Sequence, residues 1–271
     1  FLLKGKSLNG KNCVIIFDEV QLFPYARQAI KYLVADGRYE YIETGSLISI
    51  RKNVKDILIP SEEYRIKMYP MDFEEYLWAR GKELLADRIR ECFVRGQGLP
   101  ENLHQEALGE YYNYCIIGGM PAAVRAETEE LATLSQAEIR QMLLDSYIAD
   151  MTKYAAPGET VKIFAAYDSL PSQLARDSKK FQYKLIKSGA RASQYGDSID
   201  WLIRAGIVNK CTKCTQGFMP PSAFQDLASF KLYYSDTGIM SARTNMNLER
   251  LMSSESEHFR GIFAENYVAC A

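Results

Sequence analysis

Val14-Ile15-Ile16-Phe17 runs directly into Asp18-Glu19, and this junction constrains the fold more than any other stretch of the chain. A short apolar run that ends in two carboxylates reads as a buried strand with an acidic C-terminal end. After Pro24, apolar residues recur at Ala26, Ala29, Ile30, Leu33 and Val34, the spacing of one buried helix face, and Gly37 stops the pattern. Tyr39 to Thr44 reads as a second strand that ends in Thr44-Gly45-Ser46. Strand, helix and strand in so short a span predict a parallel βαβ unit with a right-handed crossover.

Further along, Tyr64 to Tyr69 alternates and reads as a third strand closed by Pro70. Asp72 followed by Glu75 is a capping box that opens a helix. From there to about residue 155 the pattern is helical. One helix carries Leu103, Ala107, Leu108, Tyr111, Tyr112 and Cys115 and stops at Gly118-Gly119; another runs from about Leu131 to Tyr154. Pro157-Gly158 breaks the chain, and Thr160 can cap a helix through Phe164 and Tyr167. A helix around Phe181 to Ile186 and a second from about Ala192 to Arg204 are expected next. Strands follow at Ile207 to Lys213 and Lys231 to Tyr234. Helix, turn, helix and two strands is the order of a winged helix.

At 271 residues the chain has length for about two domains and for a core that needs no staple. Lys and Arg number 33 against 34 Asp and Glu, a net charge of -1, which excludes a wholly basic nucleic-acid coat but not a local basic patch. No apolar stretch approaches the ~20 residues of a membrane helix. The six cysteines show no extracellular disulfide pattern, so a cytoplasmic protein is expected. Cys211 and Cys214 lack a second ligand pair for zinc, and read as two strand thiols. The many aromatic residues, Tyr111, Tyr112 and Tyr147 among them, fall at helical core spacing. The chain begins with Phe1 and ends inside a helical pattern, which gives the expectation of a fragment cut at both ends.

Asp18 and Glu19 carry the chemistry. Carboxylates at the C-terminal edge of a parallel strand face the crevice where α/β proteins bind ligands. An Asp there can hold Mg²⁺ and a neighbouring Glu can orient an attacking water, which is the Walker B arrangement. Thr44 or Ser46, ending the adjacent strand, would sit beside them and could bond a γ-phosphate. The alternative reading is a solvated acidic strand end beside a Ser-capped turn.

Six stretches carry a family resemblance. They are Ile15 to Gln21, Glu43 to Ser46, Met68 to Leu77, Gly118 to Pro121, Lys231 to Gly238 and Gly261 to Asn266. In that order the chain resembles a branch of the AAA+ P-loop ATPases that has a winged-helix region and a nuclease-like region behind the ATPase core. The resemblance implies ATP and Mg²⁺ as cofactors. It makes Asp18 the metal-associated aspartate, Glu19 the catalytic glutamate, and Thr44 or Ser46 sensor 1. Arg65 reads as a surface arginine or, by the resemblance, a trans-acting arginine. The implied fold is α/β then mainly α. It comprises a partial AAA+ core without P-loop at 1–70, a helical region or lid at 71–170, a winged-helix-like region at 171–260, and the start of a truncated nuclease-like region at 261–271.

The chain departs from that family at one point. A P-loop needs G-x-x-x-x-G-K-[ST], whose backbone N–H groups and Lys cradle phosphate. Gly5-Lys6-Ser7 and Gly10-Lys11-Asn12 do not complete it. The expectation is that the P-loop lies upstream of Phe1 in an intact parent, and that this chain alone binds ATP weakly or not at all. Nuclease activity is not expected, because Glu265 alone cannot assemble a two-metal site. From Arg176 to Arg191 a basic run (with Lys179, Lys180, Lys184 and Lys187) could neutralise DNA phosphates, and Gln182, Ser193, Gln194 and Tyr195 could reach bases or backbone. The alternatives are a solvated basic face, or a protein-binding or lid surface.

Overall fold

β1 (Val14–Phe17) pairs in parallel with β2 (Glu40–Glu43), with Val14 opposite Glu40 and Phe17 opposite Glu43. α1 (Pro24–Asp36) crosses between them, as the strand–helix–strand pattern requires, and Gly37 ends it at φ 67°. The structure is a computed structural model that describes residues 13–45, 64–128, 134–155, 158–176, 178, 180–253 and 257–271. The chain forms two compact units, Phe1–Met68 and Tyr69–Ala271.

In the N-terminal unit β1 is only half covered, against the expectation of a buried strand. Ile15 and Phe17 lie half-buried, with Phe17 stacked on Tyr41, whereas Val14 and Ile16 are 49% and 60% exposed. Period-two alternation splits these four apolar residues between two faces. The expected third strand is absent: residues 64–70 hold no regular structure. Tyr64, Ile66 and Met68 are exposed, so the alternation does not bury an apolar face.

The C-terminal unit begins with α2 (Phe73–Ala79), whose cap is the expected box: Glu75 N–H donates to Asp72 and Asp72 N–H donates to Glu75. α3 (Glu83–Arg95) and α4 (Glu101–Ile117) follow, then α5 (Pro121–Thr128) and α6 (Gln136–Tyr154). α6 starts later than its periodicity suggests, because Ser135 and Glu138 form a capping box there. The core between these helices is aromatic. Phe73, Tyr76, Tyr111, Tyr114 and Tyr267 meet edge-on or stacked at 5.1–6.3 Å. That agrees with core spacing rather than a stacking surface.

α7 (Thr160–Asp168) has Thr160 as its first residue rather than its cap, and α8 (Leu170–Leu174) is a short continuation. The helix expected around Phe181 to Ile186 is a single 3-10 turn, Tyr183–Leu185. The reason is competition for the backbone. Phe181 N–H donates to Phe230 O, and the Gln173 amide pairs with both N–H and C=O of Gln182, so these groups are not available to a helix. α9 (Ala192–Arg204) buries Ser198, Ile199 and Leu202, then β3 (Val208–Cys214) pairs antiparallel with β4 (Gln225–Tyr234). Cys211 and Cys214 are exposed free thiols on β3. α10 (Thr237–Thr244), α11 (Leu248–Met252) and α12 (Glu257–Cys270) close the chain.

Three of the motif stretches converge on one buried carboxylate. Asp236 caps α10 by accepting from Ile239 N–H at 3.0 Å, and its second oxygen accepts from Gly119 N–H at 2.7 Å. Gly119 O accepts in turn from Met71 N–H at 2.7 Å. The N-terminus of α10 thus meets the C-terminus of α4, whose last carbonyls lack helical partners. Thr237 Oγ donates to Tyr114 O, and Ser241 Oγ donates to Ile116 O. A Cβ on Gly119 would lie 2.0 Å from Met71 O, and one on Gly238 would lie 2.1 Å from Ile117 O. Glycine is required at both positions because backbone touches backbone. Burial pushes the Asp236 carboxyl up, and the N–H donors of Gly119, Ile239 and Gly238 oppose that rise.

On the far side, Asn266 of α12 receives Tyr234 N–H at 2.8 Å and donates to Tyr234 O, which extends β4 with a side-chain amide. Glu265 is held by Lys231 at 2.7 Å and by the Tyr233 hydroxyl.

Gly119→Ala is therefore expected to cost about 3 kcal/mol in urea unfolding. Gly109→Ala is expected to gain about 1 kcal/mol, because Gly109 is exposed inside α4 with open space around it. Alkaline titration supplies a second check. Burial raises the hydroxyls of Tyr76, Tyr114, Tyr167 and Tyr234 above their usual 10.0. The stability they hold is complete below that value and falls as the pH rises through the folded-state values. Unfolding above pH ~10 should coincide with ionisation of these four buried rings, followed individually by NMR; their ionisation with the fold intact would contradict it.

Candidate functional site

Asp18 and Glu19 follow β1, and Thr44 follows β2, so parallel pairing alone brings them side by side. The backbone continues that pairing past the strands: Thr44 N–H donates to Phe17 O, and Val20 N–H donates to Thr44 O, both at 2.9 Å. The Thr44 hydroxyl then works in both directions. It donates to Asp18 Oδ1 at 2.5 Å and accepts from Glu19 N–H at 3.1 Å. One threonine thus fixes the aspartate side chain and the glutamate backbone together.

Glu19 stands in the left-handed region, φ 52° and ψ 47°. For a residue with a Cβ that conformation costs about 1–2 kcal/mol, and such strain concentrates at functional positions. The turn leads into a 3-10 segment, Val20–Leu22, and then α1. A cavity of about 370 Å³ opens here, lined by Asp18 and Glu19 together with apolar Phe17, Leu22, Phe23 and Ala29.

Beneath this cluster lies a pair the sequence pattern did not single out. Arg27 of α1 is 5% exposed and its Nε lies 3.9 Å from Glu43 Oε2, at the end of β2 beside Thr44. The signal was present: Arg27 falls three residues before Ile30 and seven before Val34, on the helix's apolar stripe.

Among the described residues no group of three or more His, Cys, Asp or Glu side chains could hold a metal by itself. Mg²⁺ bound with a nucleotide takes one or two carboxylates and fills the rest of its shell with water and phosphate oxygens. Asp18, with its position set by a hydroxyl, is the side chain that fits that duty.

Of the other sequence candidates, Ser46 and Lys179 lie outside the described residues. Lys180, Lys184 and Arg191 are exposed in the C-terminal unit, and Arg65 is exposed in the 64–70 stretch. Among the described residues no helix is long and apolar enough to cross a membrane.

Two family models match parts of the chain. Residues 2–77, which contain the whole cluster, match the AAA domain family. Residues 108–250, more than half of the chain, match the family described as Domain of unknown function (DUF8612), and the chain belongs to that family. Among solved structures it is similar to the Walker-type ATPase PABY2304 of Pyrococcus abyssi, at 15% identity and a TM-score of 0.43. That match covers 85% of this chain and 63% of the other, so this chain spans less than two thirds of it. No curated protein matches.

If Glu19 is strained, Glu19→Gly should slow amide exchange in β1 and β2, equivalent to about 1 kcal/mol of added stability. Glu19→Ala, which keeps the Cβ, should leave exchange unchanged. Equal protection in all three proteins would contradict the strain.

Proposed function

We propose that the chain carries the Walker B and sensor half of an AAA-type ATPase that hydrolyses ATP to drive a conformational change in the intact protein. The observation that supports this reading best is the Thr44 hydroxyl bonded to both Asp18 and Glu19. Asp18 would hold Mg²⁺, which supplies charge neutralisation of the phosphates. Glu19 would orient and deprotonate the attacking water. Thr44, or Ser46, would register the γ-phosphate by hydrogen bonding. The polar work is positioning and electrostatics rather than covalent chemistry.

In this reading the C-terminal unit serves the ATPase as a helical region (71–170) followed by a winged-helix region (171–260). Within that last range α9, β3 and β4 support the second part, and a single 3-10 turn stands where its first helix is expected. We place the protein in the cytoplasm on its cysteine usage alone.

A second reading makes the winged helix the working part, as a non-catalytic module for duplex DNA or a protein. Exposed Lys180, Lys184 and Arg191 favour DNA: none of them pairs with a carboxylate among the described residues.

Glu19→Gln separates the two readings in a protein that includes a P-loop. ATP turnover should fall at least a hundredfold, the scale of a lost general base, while nucleotide affinity stays. Unchanged turnover, or no turnover in the unmodified protein, would move the assignment to the binding module.

A further inference from the structure

A second cavity, of about 290 Å³, lies in the C-terminal unit, where α7 faces the turn that precedes α9. Lys162 of α7 lines one part of it, and Lys187, Ser188 and Ala190 of the turn line another, with Gln194 and Tyr195 completing the wall. The lining holds two ammonium groups and no carboxylate. Both lysines are exposed, and neither pairs with a carboxylate among the described residues. Elsewhere in this unit cations are commonly matched: Arg80, Lys82, Lys231 and Arg243 each meet a carboxylate.

The remaining polar groups also favour an anion. Gln194 Oε1 is occupied by Arg191 N–H at 3.2 Å, which leaves the amide Nε2 with two N–H groups to donate. The Ser188 hydroxyl is a further donor. A concave donor set carried by two separate elements, with no acidic side chain, selects phosphate oxygens over a cation. Lys180, Lys184 and Arg191 extend the positive charge along the same stretch of chain, so a polyanion fits better than an isolated phosphate.

We propose that this cavity seats a backbone phosphodiester of duplex DNA, with Lys162 and Lys187 as its two charge contacts. The proposal rests on the DNA reading of the winged-helix region and adds a site to it. Lys162 is separated by about one whole helix from the basic run that sequence reading identified.

The test is anisotropy of a labelled duplex with the 271-residue chain over a salt series. Lys162→Ala with Lys187→Ala should weaken binding about tenfold at low salt and reduce the log–log salt slope by about 2, one for each lost phosphate contact. The double Arg variant at the same positions should restore both values, because charge and donors are kept. An alanine pair that binds with unchanged affinity and slope, while Lys180→Ala with Lys184→Ala binds more weakly, overturns the seat and leaves the DNA reading standing. No duplex binding by the unmodified chain at the lowest salt overturns both. Displacement of the duplex by inorganic phosphate or ATP at matched phosphate concentration overturns DNA as the source and assigns the cavity to a free phosphate. Displacement by polyglutamate at matched charge overturns phosphate recognition altogether.

Discussion

The buried carboxylate of Asp236 is the interaction on which the larger unit depends. It sits where the amino end of α10 abuts the carboxyl end of α4, and it accepts from the backbone of both segments. The helix dipoles agree with this placement, positive N–H end of α10 against negative C=O end of α4. Each group at the junction answers another: the Ile116 carbonyl at the end of α4 accepts from the Ser241 hydroxyl, the Tyr114 carbonyl accepts from Thr237 as well as from Gly118 N–H, and the N–H groups of Gly119 and Ile239 donate to Asp236. Removing the carboxylate would strand buried donors, each at a cost of about 1–3 kcal/mol. Gly119 and Gly238 are the steric counterpart, since any Cβ there would displace main chain.

The stretches that mark the family therefore divide by physical task. Asp18 and Glu19 of the first stretch and Thr44 of the second supply the polar cluster of the N-terminal unit. Met71, Gly119, Asp236 and Asn266 hold the C-terminal unit together. The N-terminal cluster has the opposite character: Asp18 and Thr44 are exposed, and Glu19 is held in an unfavourable backbone conformation. One set is buried and hydrogen-bonded, the other is exposed and strained.

Much of this was legible in the sequence wherever local rules decide. The β1–α1–β2 unit, the Gly37 stop, the Asp72–Glu75 box and α9 with β3 follow from periodicity and capping. Legibility failed where tertiary contact decides. Tyr64 to Tyr69 alternates like a strand but holds no regular structure. Phe181 to Ile186 looked helical, yet Gln173 and Phe230 claim its backbone. At the candidate site, Asp18, Glu19 and Thr44 were legible because parallel pairing places strand ends together. The Arg27–Glu43 pair was not, because a cation on an apolar stripe is read as noise until its partner is seen. Asp236 and Gly119, 117 positions apart, could be quoted as motifs without any sign that they touch.

Native-state hydrogen exchange at the Gly119 and Ile239 amides tests the central claim most directly, because both N–H groups end on Asp236. The account predicts that these two amides exchange only through global unfolding of the C-terminal unit, with an opening free energy equal to its denaturant-derived stability. Exchange at a much lower opening free energy, with the rest of α4 and α10 still protected, would contradict it.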